Sequence, residues 1–195
     1  MTTDETWAHY FVPESKHSSM QWHHPGSPKP EKTKTTFSAG KVVATMFWDS
    51  KGVLYVDFLT ERRTINAEYY SALLKGPVKT AIMNKRKRAQ TSVSFLQDNS
   101  HPHVAARTMD TIQKLKWNIL PHPPYSLDLA ALDYHLFGPL KEHLGGRRFR
   151  NNEELIQGVQ VWLHWQPKDF FLSGIRKLPD RWHKCITNQG DYVEE

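Results

Sequence analysis

The stretch VSFLQDNSHPH, residues 93–103, decides the fold. Its apolar opening, Val93 to Leu96, reads as a short buried strand that delivers Asp98 at its end. Residues 104–115 then suit a helix and 117–120 a second short strand, so the order is strand, helix, strand. A carboxylate at the carboxyl end of such a strand stands where α/β folds commonly bind ligands.

Working outward, residues 4–12 carry Trp7, Tyr10, Phe11 and Val12 and suit a first strand ended by Pro13. Residues 42–48 and 53–59 are β-branched and aromatic, and Asp49-Ser50-Lys51-Gly52 joins them as a hairpin. Between first strand and hairpin lies a Pro/Lys-rich loop, residues 23–40. Ile65, Tyr69, Leu73 and Leu74 have helical spacing behind a cap at Thr64 or Asn66, and this helix can continue past Pro77. Helices are also expected over 134–144, 152–165 and 168–186, with Trp162, Trp165, Phe170, Phe171 and Trp182 read as core. Three early strands and two later ones give an α/β domain, a mixed five-stranded sheet flanked by helices, with residues 1–195 as a single domain.

The chemistry rests on three aspartates: Asp4 in TTDETW, Asp98, and Asp133 in DLAALDYHLF, the last two separated by 34 residues. Hard cations such as Mg²⁺ take oxygen ligands, and a site holding two ions about 3.5–4 Å apart needs several carboxylates from different elements. This points to a metal-dependent enzyme acting on nucleic acid. Any one aspartate alone would more often be a turn former, and Asp128 competes with Asp133. Glu5 follows Asp4 directly, so strand alternation places it on the opposite face and outside the site. Clustered carboxylates repel, so Asp98→Ala is expected to leave the metal-free protein no less stable if local hydrogen bonds are few. The His101-x-His103 pair lacks a nearby cysteine and an obvious third ligand, which argues against zinc.

A net charge of +6 and a pI near 9.4 suit a polyanionic partner, DNA in this reading, without specifying it. The single cysteine, Cys185, cannot form an internal disulfide. No apolar run approaches the roughly 20 residues a membrane helix needs, and the first residues lack the pattern of a secretory signal. An intracellular protein with no membrane partner and no small-molecule substrate is expected.

Several segments resemble the catalytic domain of mariner-type DNA transposases of the Tc1/mariner superfamily: DETW, HHPGSPKP, KVVATMFWDSKGVLYVDFL, QDNSHPHVA, LPHPPYSLDLAALDYHLFGPLKEHLGGRRF and GIRKLPDRWHKCITNQGDY. The resemblance implies an RNase H-like fold in which Asp4, Asp98 and Asp133 bind two Mg²⁺ or Mn²⁺ ions for DNA strand cleavage and strand transfer. It places the third ligand at Asp133 and makes Asn99 and His103 local supports. It also implies that the 23–40 insertion, with Lys29, Lys32 and Lys34, touches DNA or the second subunit of a homodimer, and that the protein acts in the nucleus.

The run Lys85-Arg86-Lys87-Arg88 has three readings: a nuclear localisation signal, a DNA-backbone contact, or a basic helix end favoured by the macrodipole. Arg147, Arg148 and Arg150 follow Gly145-Gly146 and could bind phosphates.

The chain departs from the family where HDNA reads QDNS, where Thr-Gly before the first Asp-Glu reads Thr-Thr, and where SPDLAPSDY reads SLDLAALDY. The N-terminal helix-turn-helix modules that read transposon ends are expected to be absent, and the strand carrying Asp4 to lack its upstream half. These features suggest a truncated relic or domesticated fragment. Two alternatives stay open: a non-catalytic DNA-binding or interaction module, within a host fusion such as with a SET methyltransferase, and a general RNase H-like nuclease.

Overall fold

A computed structural model describes residues 1–13, 38, 40–60, 64–86 and 93–193. Five strands form one sheet in the order β3-β2-β1-β4-β5: β1 Thr2–His9, β2 Lys41–Asp49, β3 Gly52–Leu59, β4 Ser94–Leu96 and β5 Asn118–Leu120. The first three are antiparallel, whereas β4 runs parallel to both β1 and β5. The sheet is therefore mixed, as the strand, helix, strand order requires.

Strand β2 explains how the sheet takes a layer on each side. Val42, Ala44, Met46 and Trp48 alternate into one apolar cluster and Phe47 into the other, so the strand is buried on both faces. The first cluster packs α5 Gly138–Leu144, α6 Asn152–Trp165 and α7 Lys168–Thr187 against the sheet. The second packs α1 Ala67–Leu73, α2 Lys79–Lys85 and α4 Ala106–Lys114 on the opposite face.

Local rules set the element ends. The side chain of Asn66 accepts the Tyr69 N–H at 2.8 Å and caps α1. Beyond α1 the helix widens to a π-helical turn, Leu74–Val78, before resuming as α2. Pro77 lies in that turn, where the wider spacing accommodates a residue that has no N–H to donate. Asn151 caps α6 by accepting from Glu154 N–H at 2.8 Å.

Four expectations need correction. Strand β1 begins at Thr2, and Phe11 and Val12 form only isolated bridges, to Arg148 and Gly145. The helix expected over 104–115 is split at Ala105 into a single turn, α3 His101–Val104, and α4, because Ala105 is extended at ψ 143°. Asp133 sits inside a second π-helical turn, Leu132–Phe137, that continues into α5. Trp165 is 77% exposed, since the core face of α6 is taken by Leu155, Val159, Trp162 and Leu163. No helix among the described residues is long and apolar enough to cross a membrane.

Candidate active site

Strand β1 pairs with β2 over its whole length but touches β4 only through Thr2 and Leu96. The parallel pair therefore diverges just where Asp4 and Asp98 follow. Asp133 approaches from a third element, whose neighbours are fastened to α7: Tyr134 Oη donates to the Gly174 carbonyl at 2.6 Å, and His135 Nε2 to the Phe170 carbonyl at 2.7 Å. Gly174 makes this approach possible, because a Cβ there would stand 2.4 Å from His135 Cδ2.

Asp4 and Asp133 face each other. Burial, then the Asp133 charge, pushes the Asp4 carboxyl up to about 8, and Asp133 is also raised by burial. Asp133 Oδ2 is buried and has no hydrogen-bond partner among the described residues. An orphaned buried carboxylate oxygen opposite a second carboxyl is a costly arrangement that a cation would relieve. Asp128 also has one buried oxygen, Oδ1, without a partner among the described residues, but its Oδ2 accepts the Val193 N–H at 2.9 Å and its carbonyl accepts from Arg181 at 3.1 Å, which tie it to the C-terminal segment.

Asp98 has a different environment. Its Oδ1 accepts the Ser100 N–H at 3.1 Å and hydrogen-bonds His103 Nδ1. His103 is fully buried, and its Nε2 lies 3.1 Å from Glu5 Oε1. With a carboxylate on each ring nitrogen, both nitrogens donate and the ring is an imidazolium. Against the opposing effect of burial, these two partners hold His103 up at about 9, and His103 holds the Asp98 carboxyl down at about 2. Gln97 Nε2 donates to the His103 carbonyl at 3.1 Å, Tyr70 Oη donates to Gln97 Oε1 at 2.9 Å, and the Tyr70 ring centroid lies 4.2 Å from that of His103. A glutamine amide supplies one donor and one acceptor here, so Gln97 of QDNS bridges His103 and Tyr70.

Glu5 is the residue that sequence reasoning set aside. Its partner, His103, comes from 98 positions away, and strand alternation carries no signal of such a contact. Asn99 Nδ2 donates to the His122 carbonyl at 2.7 Å, tying the β4 end to the proline-rich loop.

The carboxylate set is all-oxygen, which suits a hard divalent cation, and the orphaned Asp133 Oδ2 fits such a group. Among the described residues, no three His, Cys, Asp or Glu side chains are already gathered as a ligand cluster. Asp4 and Asp133 interact with each other, whereas the Asp98 carboxylate is hydrogen-bonded to His103.

The basic candidates divide into groups. Lys85 Nζ donates to the Val53 and Leu54 carbonyls at 3.2 and 3.0 Å, and Arg86 forms a two-bond fork with Asp49 at 2.7 and 2.8 Å. Arg147, Arg148 and Arg150 are exposed on the segment after α5, with the Arg148 guanidinium 4.5 Å from the Phe11 ring centre. Lys29, Lys32, Lys34, Lys87 and Arg88 lie outside the described residues, as does most of the 23–40 loop.

Comparison with known proteins identifies the family and the fold. Residues 12–92 match the family described as transposase (partial DDE domain). The whole chain aligns at 34% identity with the Mariner Mos1 transposase of Drosophila mauritiana, spanning 56% of it. It also aligns at 32% identity with the histone-lysine N-methyltransferase SETMAR of Homo sapiens, spanning 28% of that protein. The crystal structure of the catalytic domain of Mos1 mariner transposase matches 99% of this chain and 83% of its own, with a TM-score of 0.80 at 33% identity. The Mos1 mariner paired end complex with Mn matches 99% of this chain and 56% of its own, with a TM-score of 0.90 at 35% identity. The chain thus spans about half the length of Mos1 transposase, and its sheet is RNase H-like.

Proposed function

The chain belongs to the mariner family of DNA transposases, and from that premise we propose that it is a catalytic domain for metal-dependent DNA strand cleavage and strand transfer. Asp4, Asp98 and Asp133 are its proposed ligands for two Mg²⁺ or Mn²⁺ ions; Mos1 structures with Mg and with Mn are the precedent. The observation that carries the reading is the half-buried Asp4–Asp133 pair with its buried, orphaned Asp133 Oδ2.

Bound there, divalent cations supply Lewis-acid activation of the attacking oxygen and charge stabilisation of the leaving oxygen. The chain's own residues do the positioning. Asp4 and Asp133 present carboxylate oxygens from a strand and a helix that are each held by packing on a second element. His103 fixes the Asp98 carboxylate through Nδ1 and is itself fixed by Glu5 through Nε2, an orienting chain of the kind metal ligands commonly have. No side-chain nucleophile is required. DNA is the proposed partner, with Arg147, Arg148 and Arg150 as phosphate contacts, and a homodimer and the nucleus as the proposed setting.

Cleavage of a labelled duplex in Mg²⁺ and in Mn²⁺ tests this, alongside a thermal-stability titration with the same ions. Wild type is expected to nick and to gain stability with metal, and Asp133→Asn to do neither. An Asp133→Asn protein that nicks like wild type refutes the assignment. A wild type that binds DNA in a salt-sensitive way without cutting in either metal leaves the DNA-binding module, as in a host fusion, as the function.

A further inference from the structure

We propose that the segment following α7 is a latch that sets the direction of the Asp133 carboxylate, with Arg181 and Asp128 as its positioning residues; this rests on the metal-dependent reading above. No proline stands between Pro124 and Asp133, so residues 125–132 take their course from contacts and not from a stiff backbone. Ahead of the π-helical turn, their regular structure is one 3-10 turn, Leu127–Leu129. Only Ala130, Ala131 and Leu132 separate it from Asp133.

The chain returns to that turn after α7. Gln189 and Gly190 both take left-handed backbone, φ +59° and +94°, and Gly190 N–H closes the helix end on the Cys185 carbonyl at 2.9 Å. Val193 is then 6% exposed and donates its N–H to Asp128 Oδ2 at 2.9 Å, while Tyr192 Oη donates to the Tyr125 carbonyl at 2.8 Å. Arg181 joins the two segments. It projects from α7, is 8% exposed, and donates through Nη1 to the Asp128 carbonyl at 3.1 Å and the Val193 carbonyl at 3.2 Å. Its guanidinium stands 4.3 Å from the ring centre of Tyr134, the residue after Asp133.

Folding alone gives a weaker account of this arrangement. The core already holds α7 through Phe171 and Leu178, and a valine anchor needs no carboxylate. Asp128 instead keeps Oδ1 buried without a partner among the described residues, a cost that an apolar anchor would avoid. What the carboxylate adds is direction, because its Oδ2 accepts one particular main-chain N–H and so fixes the register of the two segments. A hollow of about 450 Å³ is lined by Asp128, Asp133, Tyr134, Arg181 and Val193, so the latch and the third carboxylate share one wall. Groups that orient a metal ligand from behind set its affinity as the ligand itself does.

The test compares wild type with Arg181→Lys, Val193→Gly, Asp128→Ala and Asp128→Asn in the full chain. Calorimetry measures Mn²⁺ binding, and amide hydrogen exchange in EDTA measures opening over residues 127–137. Arg181→Lys, Val193→Gly and Asp128→Ala are each expected to bind Mn²⁺ about 10-fold more weakly or worse. An ammonium does not reproduce the planar guanidinium that bridges two carbonyls beside Tyr134. The same three are expected to exchange faster over 127–137 while β1, β2 and β3 keep wild-type protection. Asp128→Asn keeps an oxygen for the Val193 N–H and is expected to recover most of what Asp128→Ala loses. An asparagine variant as weak as the alanine variant would make Asp128 a metal ligand and overturn the latch, as would wild-type affinity and exchange in Arg181→Lys and Val193→Gly. If either of those two fails to fold, the Asp128 pair decides. A wild type that takes up no Mn²⁺ removes the catalytic reading, and the exchange measurement then decides the latch by itself.

Discussion

Asp4→Asn and Asp98→Asn will shift the stability of the metal-free protein in opposite directions, although both aspartates are proposed ligands of the same site. The Asp98 carboxyl is held at about 2 against an ordinary 3.8, chiefly by His103 and Ser100 working against burial. At about 1.36 kcal/mol per pKa unit, this corresponds to roughly 2–3 kcal/mol. One third of the side chain is exposed, so screening reduces it to about 1–2 kcal/mol. That stability is complete above pH 3.8 and disappears as pH falls through about 2. His103, held up at about 9, contributes stability that is complete below 6.5 and lost as pH rises through about 9.

Asp4 has the opposite sign. A carboxyl pushed up to about 8 weakens the fold progressively as pH rises from 3.8 towards 8. Asn keeps an oxygen to accept the Glu5 N–H, now at 2.7 Å, and removes the charge, for an expected gain of about 1–3 kcal/mol at pH 8 and less at pH 5. Urea unfolding in EDTA at the two pH values measures both variants. An Asp4→Asn protein less stable than wild type at pH 8, or an Asp98→Asn protein as stable as wild type at pH 7, refutes the electrostatic reasoning. The expectation that removing Asp98 is harmless fails on its condition, because the local hydrogen bonds to Asp98 are not few.

Glu5→Ala will weaken Mn²⁺ binding by about 10-fold or more through loss of the His103 support, and Glu5→Gln, which keeps an acceptor for Nε2, by less; equal affinities by calorimetry would disprove the orienting role. Asp49→Ala, which breaks the fork to Arg86, will cost about 1–2 kcal/mol in urea melts, and Arg86→Lys will not match the wild-type fork because an ammonium cannot make two parallel bonds. Gly174→Ala will cost about 1–3 kcal/mol, since its Cβ would lie 2.4 Å from His135 and 2.8 Å from Trp48; an unchanged melting temperature would contradict the packing.

The sheet and most helices were legible because their signals are local. Asn151, Glu153 and Glu154 mark the start of α6, and the Asn66 cap and Asp49–Gly52 turn are equally short-range. Contacts between distant segments left no such trace, as Glu5 with His103 and Lys85 with Val53 and Leu54 show. A basic run in a sequence also does not reveal which cations the fold has already engaged, as it has engaged Arg86 with Asp49. Trp165 misled because its three-residue spacing from Trp162 fits a core stripe, yet α6 ends at once and leaves the ring projecting.

The π-helical turn at Leu132–Phe137 works as a change of phase. In an unbroken α-helix, residues seven apart differ by only about 20° in direction, so Asp133 would share the face of Leu140. Leu140 and Leu144 are each 1% exposed, and a carboxylate on their face would enter the apolar core. The wider turn accommodates an additional residue and rotates the segment before it by about 100° relative to α5, the angle of one helical residue. Asp133 can then address Asp4 while α5 keeps its leucines inward. Deleting one residue within the turn would restore regular helix, leave the leucine face seated and swing the carboxylate out of position. The direction of this carboxylate is therefore encoded in the number of residues in the turn, and a substitution scan would pass over it.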